Sequence, residues 1–152
     1  MKIRKFKNAD AVIVSGFIRN CFLKLDIGGH TQRGIELQIT GNSPESLIER
    51  AKTIKYFVAT DNSRVIGICG HDDQKVHTLF VDINFQKRGI GKKLLETVLK
   101  DARADGLQSI ITWSTIYAEN FYHSFGFNKI KEVYLPEDKK HITLIEMIKY
   151  FA

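Results

Sequence analysis

Gln86-Lys87-Arg88-Gly89-Ile90-Gly91 puts two glycines, two cations and the start of a helical pattern into six consecutive residues. Glycine has no Cβ, so backbone at these positions approaches a ligand closely and adopts positive φ at little cost. A helix that begins at such a loop presents unpaired N–H groups and the positive end of its dipole to the same spot. The stretch therefore reads as a grip for a diphosphate. The same residues also fit an ordinary strand-to-helix turn with solvated cations.

The flanks supply the context. Upstream, Val76-His77-Thr78-Leu79-Phe80-Val81-Asp82-Ile83 is rich in β-branched and aromatic residues and lacks Gly and Pro, as a strand should be. Downstream, Ile90, Leu94, Leu95, Val98, Leu99 and Ala102 recur at helical spacing. Lys92, Lys93, Lys100 and Asp101 fall largely on other faces of that helix, and Gly106 supplies its stop. Two familiar phosphate loops fail on the residues. A dinucleotide-binding fingerprint needs a third glycine and an acidic residue about 20 positions on. A P-loop needs Lys followed by Ser or Thr, whereas Gly91 is followed by Lys92-Lys93.

With 152 residues the chain fits one domain over 1–152, long enough to bury roughly two-thirds of its unfolded surface. Cys21 and Cys69 sit in apolar settings without a Cys-x-x-Cys pattern, which predicts buried, inert thiols in a reducing compartment. His71 and His77 bracket Asp72-Asp73. The acidic pair fits a hairpin turn better than a metal site, so no metal is expected. Lys7, Asn8, Asp10, Ser15 and Arg19 interrupt any signal-like apolar run near the N-terminus, and no stretch approaches the roughly 18 apolar residues of a membrane span. A cytoplasmic protein with no membrane association is the expectation. The 23 Lys+Arg against 17 Asp+Glu give a net charge of +6, which favours anionic partners. The cations are dispersed along the chain, so nucleic acid is the weaker reading and a phosphate-rich cofactor accounts for the same bias.

Lys2 to Phe6 alternates as a strand, after which Asn8 or Asp10 caps a helix with Val14, Ile18, Cys21, Phe22 and Leu25 on its apolar face. Asp26 to Asn42 carries four glycines and is expected to be irregular or mobile. Ser43-Pro44 opens a helix to about Lys52. Strands follow at Lys55 to Thr60 and Arg64 to Cys69, joined by Asp61-Asn62-Ser63. Beyond the long helix come a strand from Leu107 to Thr112, a helical stretch from Tyr117 to Phe125, and a closing hairpin from Phe127 to Leu135 and His141 to Tyr150.

A second motif, Ala118-x-x-Phe121-Tyr122-x-x-x-Gly126-Phe127, follows the glycine loop after a strand and a turn. Together with the strand, the Gln-x-x-Gly-x-Gly loop and the amphipathic helix, it resembles the GNAT-type N-acetyltransferase superfamily, whose members use acetyl-coenzyme A. The motifs cover Leu79 to Phe127, and the order of elements agrees over nearly the whole chain. The resemblance implies an α/β fold, a mixed, mostly antiparallel sheet of about six or seven strands flanked by about four helices. It implies that the loop formed by Gln86, Lys87, Arg88, Gly89, Ile90, Gly91 and Lys92 holds the pyrophosphate of coenzyme A. It also implies that Leu79, Phe80 and Val81 pair through their backbone with the pantetheine arm. Main-chain groups near Val81 then hold the thioester oxygen as charge develops on it.

Tyr122 takes the position of the family's general acid, which protonates the departing thiolate. Its phenol, with an ordinary pKa near 10, remains protonated at neutral pH. The family often has Asn where this chain has Thr115, which offers one hydroxyl in place of an amide's donor and acceptor. Asn120 lies nearby as a second contact. The family's function implies transfer of acetyl to a primary amine of a small molecule, an amino-acid derivative or a peptide. The alternative is a coenzyme A-binding sensor without transfer. Dimers are common in the family, so a homodimer is one expected assembly.

No motif position names the general base. Candidates are His77, whose intrinsic pKa suits the task, Asp82, Glu36 and ordered water. Strict alternation would put His77 on the face of Leu79 and Val81, opposite Asp82. Acceptors are expected near Asp26 to Asn42 and Tyr134 to His141, with Trp113 as a wall or as core packing.

Overall fold

The structure, a computed structural model, describes residues 1–152. Seven strands form one sheet: β1 (Lys2–Lys5), β2 (Lys55–Asp61), β3 (Arg64–His71), β4 (Lys75–Val81), β5 (Ser109–Ser114), β6 (Asn128–Leu135) and β7 (Ile142–Tyr150). Their order across the sheet is β1-β2-β3-β4-β5-β7-β6, antiparallel throughout except between β4 and β5. Five helices accompany them: α1 (Ala11–Lys24), α2 (Gln32–Gly41), α3 (Pro44–Arg50), α4 (Ile90–Ala104) and α5 (Glu119–Ser124).

Strand alternation, offset by one residue where β3 bulges between Val65 and Gly67, divides the core in two. Phe57, Ala59, Ile66 and Cys69 face α4, whose Leu94, Leu95 and Val98 are fully buried against Ile110 and Met147. Tyr56, Val58, Val65 and Ile68 face the other way and pack on Val14, Ile18 and Leu47 of α1 and α3. With helices over both faces, β3 is buried along all but its first residue. That explains its near-continuous apolar run.

Several expected features are present: the Ser43 cap, whose hydroxyl accepts from the Ser46 amide at 3.2 Å, Pro44 at the first turn of α3, and the turn at Asn62-Ser63 with both residues at positive φ. Helix α3 ends at Arg50, slightly short of the expected Lys52.

Two expectations need correction. Residues 26 to 42 are not irregular throughout, because α2 occupies much of the segment behind a Thr31 cap. Gly28 and Gly29 take positive φ in the loop before α2, while Gly29 and Gly34 allow close approach to other backbone. At Gly29 the carbonyl accepts from the Thr143 amide at 2.7 Å, and a Cβ at Gly34 would run into the His141 carbonyl.

The second correction concerns β4. Gly70 pairs with His77 and Ile68 with Phe80, so Cys69 faces two residues and the strand bulges at Thr78, which has φ of 59°. Val76 therefore shares the α4-side cluster with Leu79 and Val81, and the alternation that would group His77 with them is broken.

Candidate active site

The parallel contact between β4 and β5 covers only Lys75 with Ile111 and Val76 with Thr112. Beyond that point the strands part. The edge of β4 from His77 to Val81 that faces β5 has no strand partner, and a cleft of about 720 Å³ opens along it.

The glycine loop closes one end of this cleft. Asp82 stops β4 by accepting from the Asn84 amide at 3.0 Å, and a short 3-10 turn, Ile83–Phe85, follows. Gln86 donates from Nε2 to the Val81 carbonyl at 3.0 Å, tying the loop to the strand end. Lys87 and Gly89 both take positive φ, at 62° and 77°. Gly89 is the N-cap of α4 and contributes no side chain to its first amides. Those N–H groups are thus available to an anion. Lys87, Gly89, Ile90, Gly91 and Lys92 all line the cleft. Arg88 does not: it is exposed, with its guanidinium over the Phe85 ring at 5.1 Å.

Helix α5 carries Tyr122 into the opposite wall. Gly126, at φ of 89°, ends the helix, and edge-on contacts with Phe121 and Phe127 fix the phenol ring. Burial pushes the Tyr122 hydroxyl well above its ordinary pKa, only partly offset by the Thr112 side chain, so it keeps its proton at neutral pH. Thr115 lines the cleft and caps the turn before α5 by accepting from the Ala118 amide at 3.2 Å. Asn120 is exposed on α5 and lies outside the lining.

Among the candidate bases, only His77 lines the cleft. Asp82 is engaged as a cap and pairs with Arg64 at 3.4 Å, while Glu36 is exposed and pairs with Arg33. His77 Nε2 lies 2.8 Å from Asp72 Oδ2. Burial holds the His77 pKa below its ordinary value, outweighing the opposing pull of Asp72. The lowered pKa favours the neutral ring, and the 2.8 Å contact fits an Nε2–H that donates to Asp72 and leaves a lone pair on Nδ1. Asp72 stays ionised despite burial because the backbone amides of Gln74 and Lys75 and the His77 ring all hydrogen-bond to it.

At the β4 bulge, the Thr78 hydroxyl contacts the Tyr56 hydroxyl at 2.9 Å and accepts from Arg50 at 3.4 Å. Arg50 also donates to the Gly41 carbonyl at 2.6 Å and Asn42 Oδ1 at 2.7 Å. Sequence reasoning missed Arg50, Thr78 and the second role of Asp72, since each is defined by a partner from a different element. Both thiols are free and buried. Burial pushes Cys21 up to about 12, and its Sγ–H donates to the Val81 carbonyl at 3.3 Å. Across the sheet, His71, Asp101 and Asp105 cluster, but the Lys55 ammonium already bridges both carboxylates.

The parted strands thus leave a cleft with uncapped helix amides at one end, suited to an anion, and with Tyr122 and His77, two groups able to move protons, along its walls. The family model described as "Acetyltransferase (GNAT) domain" matches residues 30–151, and the chain belongs to this family of N-acetyltransferases. A [Ribosomal protein bS18]-alanine N-acetyltransferase of Salmonella typhimurium is 31% identical over 83 residues, which are 50% of this chain and 55% of that relative. The chain therefore matches only about half the length of that curated relative. A GCN5-related N-acetyltransferase from Rhodopseudomonas palustris superimposes with a TM-score of 0.90 at 15% identity, over 99% of this chain and 95% of the other. The PaiA N-acetyltransferase of Thermoplasma acidophilum, solved in complex with coenzyme A, gives 0.77 at 21% identity over 99% and 98%. No helix here is long and apolar enough to cross a membrane.

Proposed function

We propose that this acetyltransferase moves the acetyl group of acetyl-CoA directly to a primary amine bound with it in one cleft. The parting of β4 and β5 beyond Val76 and Thr112 carries this reading, because it joins the loop amides, Tyr122 and His77 in a single opening.

Acetyl-CoA would supply the electrophilic thioester carbon. The uncapped amides of Gly89, Ile90, Gly91 and Lys92 hold the pyrophosphate, helped by the Lys87 and Lys92 ammonium groups. The open edge of β4 at Leu79, Phe80 and Val81 pairs with the pantetheine arm as an added strand would. Its backbone donors stabilise charge on the thioester oxygen. Tyr122 presents its hydroxyl proton to the sulfur as negative charge builds there. Thr115 adds a hydroxyl to the cofactor wall, whereas Arg88 and Asn120, outside the lining, contribute at most to its rim.

An alkylamine of pKa about 10.4 arrives protonated and reacts only when neutral. His77 Nδ1 takes that proton, and Asp72 holds the ring in the tautomer this requires. A sensor without transfer rests on the lack of an assignable base and on Thr115 in place of the family's Asn, and the His77–Asp72 pair weighs against the first of these grounds. The ribosomal-protein alanine acetylation for which the Salmonella relative is named supports a peptide amine among the acceptors, beside small amines and amino-acid derivatives. Incubation with acetyl-CoA and a panel of these amines, followed by mass spectrometry, tests the reading. An acetylated amine is expected; acetyl-CoA that binds but remains intact with every amine would overturn it.

A further inference from the structure

No carboxylate lines the cleft, yet four cations do: Lys87 and Lys92 at the glycine loop, Arg50 beside Thr78 of β4, and Lys75 at the start of β4. The loop pair has the pyrophosphate to answer it. Neither member of the second pair has a carboxylate in salt-bridge range. Arg50, half-buried, is oriented by four neutral groups, the Gly41 carbonyl, Asn42 Oδ1, the Tyr56 hydroxyl and the Thr78 hydroxyl, and forms no ion pair. Those four bonds leave one of the five guanidinium N–H donors over. Lys75 Nζ sits 3.5 Å from the centroid of the Trp113 ring, again without a carboxylate in salt-bridge range. Burial lowers its pKa, against the weaker attraction of Asp72 and Glu146.

A guanidinium fixed by neutral dipoles is preorganised for an anion and costly to leave unpaired away from water. The cleft also has apolar lining from Phe22, Leu25, Ile27 and Leu144. A polycationic acceptor would meet two cations and no acid there. We infer that Arg50 and Lys75 form a carboxylate subsite, so that the acceptor is an amine whose own molecule carries a carboxylate beside an apolar body. The carboxylate belongs to a free amino acid or to an acidic residue next to a peptide N-terminus.

The inference rests on the acyl-transfer reading for the identity of the ligand, and its test reads binding separately from turnover. N-acetyl-leucine and N-acetyl-leucinamide differ only in the carboxylate. Calorimetry with the coenzyme A-loaded full chain should show the acid binding at least about tenfold tighter, the scale of a charged hydrogen bond. An N-acetylated alanyl-aspartyl peptide and its alanyl-asparaginyl counterpart, both with amidated C-termini, separate the peptide source from the amino-acid source. A preference in either pair supports the subsite. Arg50→Gln and Lys75→Gln should each reduce that preference while leaving coenzyme A affinity unchanged. Lys75→Gln serves if Arg50→Gln, which loses its bonds to Gly41 and Asn42, does not fold. Equal affinity of acid and amide in both pairs overturns the subsite. An acid preference without acetyl transfer to any amine would retain the subsite and remove the transfer reading.

Discussion

The His77 ring meets the Asp72 carboxylate at 2.8 Å across the β3–β4 hairpin, and Asp72 is itself fixed by the amides of Gln74 and Lys75 at 2.9 and 2.8 Å. One aspartate thus forms the turn and orients the ring that lines the cleft. This relationship makes the proposed role of His77 as proton acceptor testable.

His77→Ala should lower kcat about 100-fold, within the usual range for loss of a general base. The reactive form is neutral, and burial holds its conjugate acid below the ordinary value near 6.5. In the wild type, kcat/KM should therefore persist through that value and fall only at lower pH. Asp72→Asn removes the partner that raises the His77 pKa, so the acid limb should move lower still while the plateau drops. A pH–rate profile for the three proteins checks both shifts; an acid limb unchanged in His77→Ala would exclude His77 as the base.

Gly67 couples the sheet to the loop. A Cβ there would lie 2.8 Å from Leu94 Cδ1 and 3.3 Å from Ile90 Cγ2, both buried on α4. Gly67→Ala should push the first turn of α4 outward, cost about 1–3 kcal/mol of stability and weaken coenzyme A binding. Urea denaturation and calorimetry measure the two effects. A stability loss with unchanged affinity would break the proposed link between α4 and the pyrophosphate.

At the opposite edge of the sheet, Asp10 accepts two hydrogen bonds from Arg4, each 2.9 Å, and one from the Lys7 amide at 2.8 Å. Burial alone would raise its pKa, but the Arg4 bonds and the backbone bond hold it below the usual value. A carboxyl depressed in the folded state adds stability that is present above its unfolded pKa near 3.9 and is lost as pH falls through the folded value. Asp10→Asn should thus destabilise the protein at pH 7 and flatten its stability between roughly pH 4 and the depressed value. Thermal melts across that range test the slope.

The strand, loop and helix from Val76 to Ala104 were legible because their signals are local: β-branched residues, glycines at the turn and apolar side chains at helical spacing. Tyr122 was singled out through the motif that holds Ala118, Gly126 and Phe127, and its ring lies in the cleft wall. Helix α2 was not legible, because Gly28, Gly29, Gly34 and Gly41 read as loop, whereas Gly29 and Gly34 allow tight approach to the residues around β7. The Thr78 bulge was hidden too, since a β-branched residue at φ of 59° runs against local preference and is imposed by pairing with β3. The polar cluster around Arg50 joins α3 to Asn42 beyond α2 and to Thr78 of β4, so no single window of sequence contains it.

The most direct test of the account is Tyr122→Phe, which removes one hydroxyl from a ring held by Phe121 and Phe127. Amine-dependent release of free thiol from acetyl-CoA should fall about 100-fold or more in kcat, with coenzyme A affinity within about twofold of wild type. Unchanged kcat, with folding and affinity intact, would contradict the assignment of Tyr122 as the proton donor on which the mechanism stands.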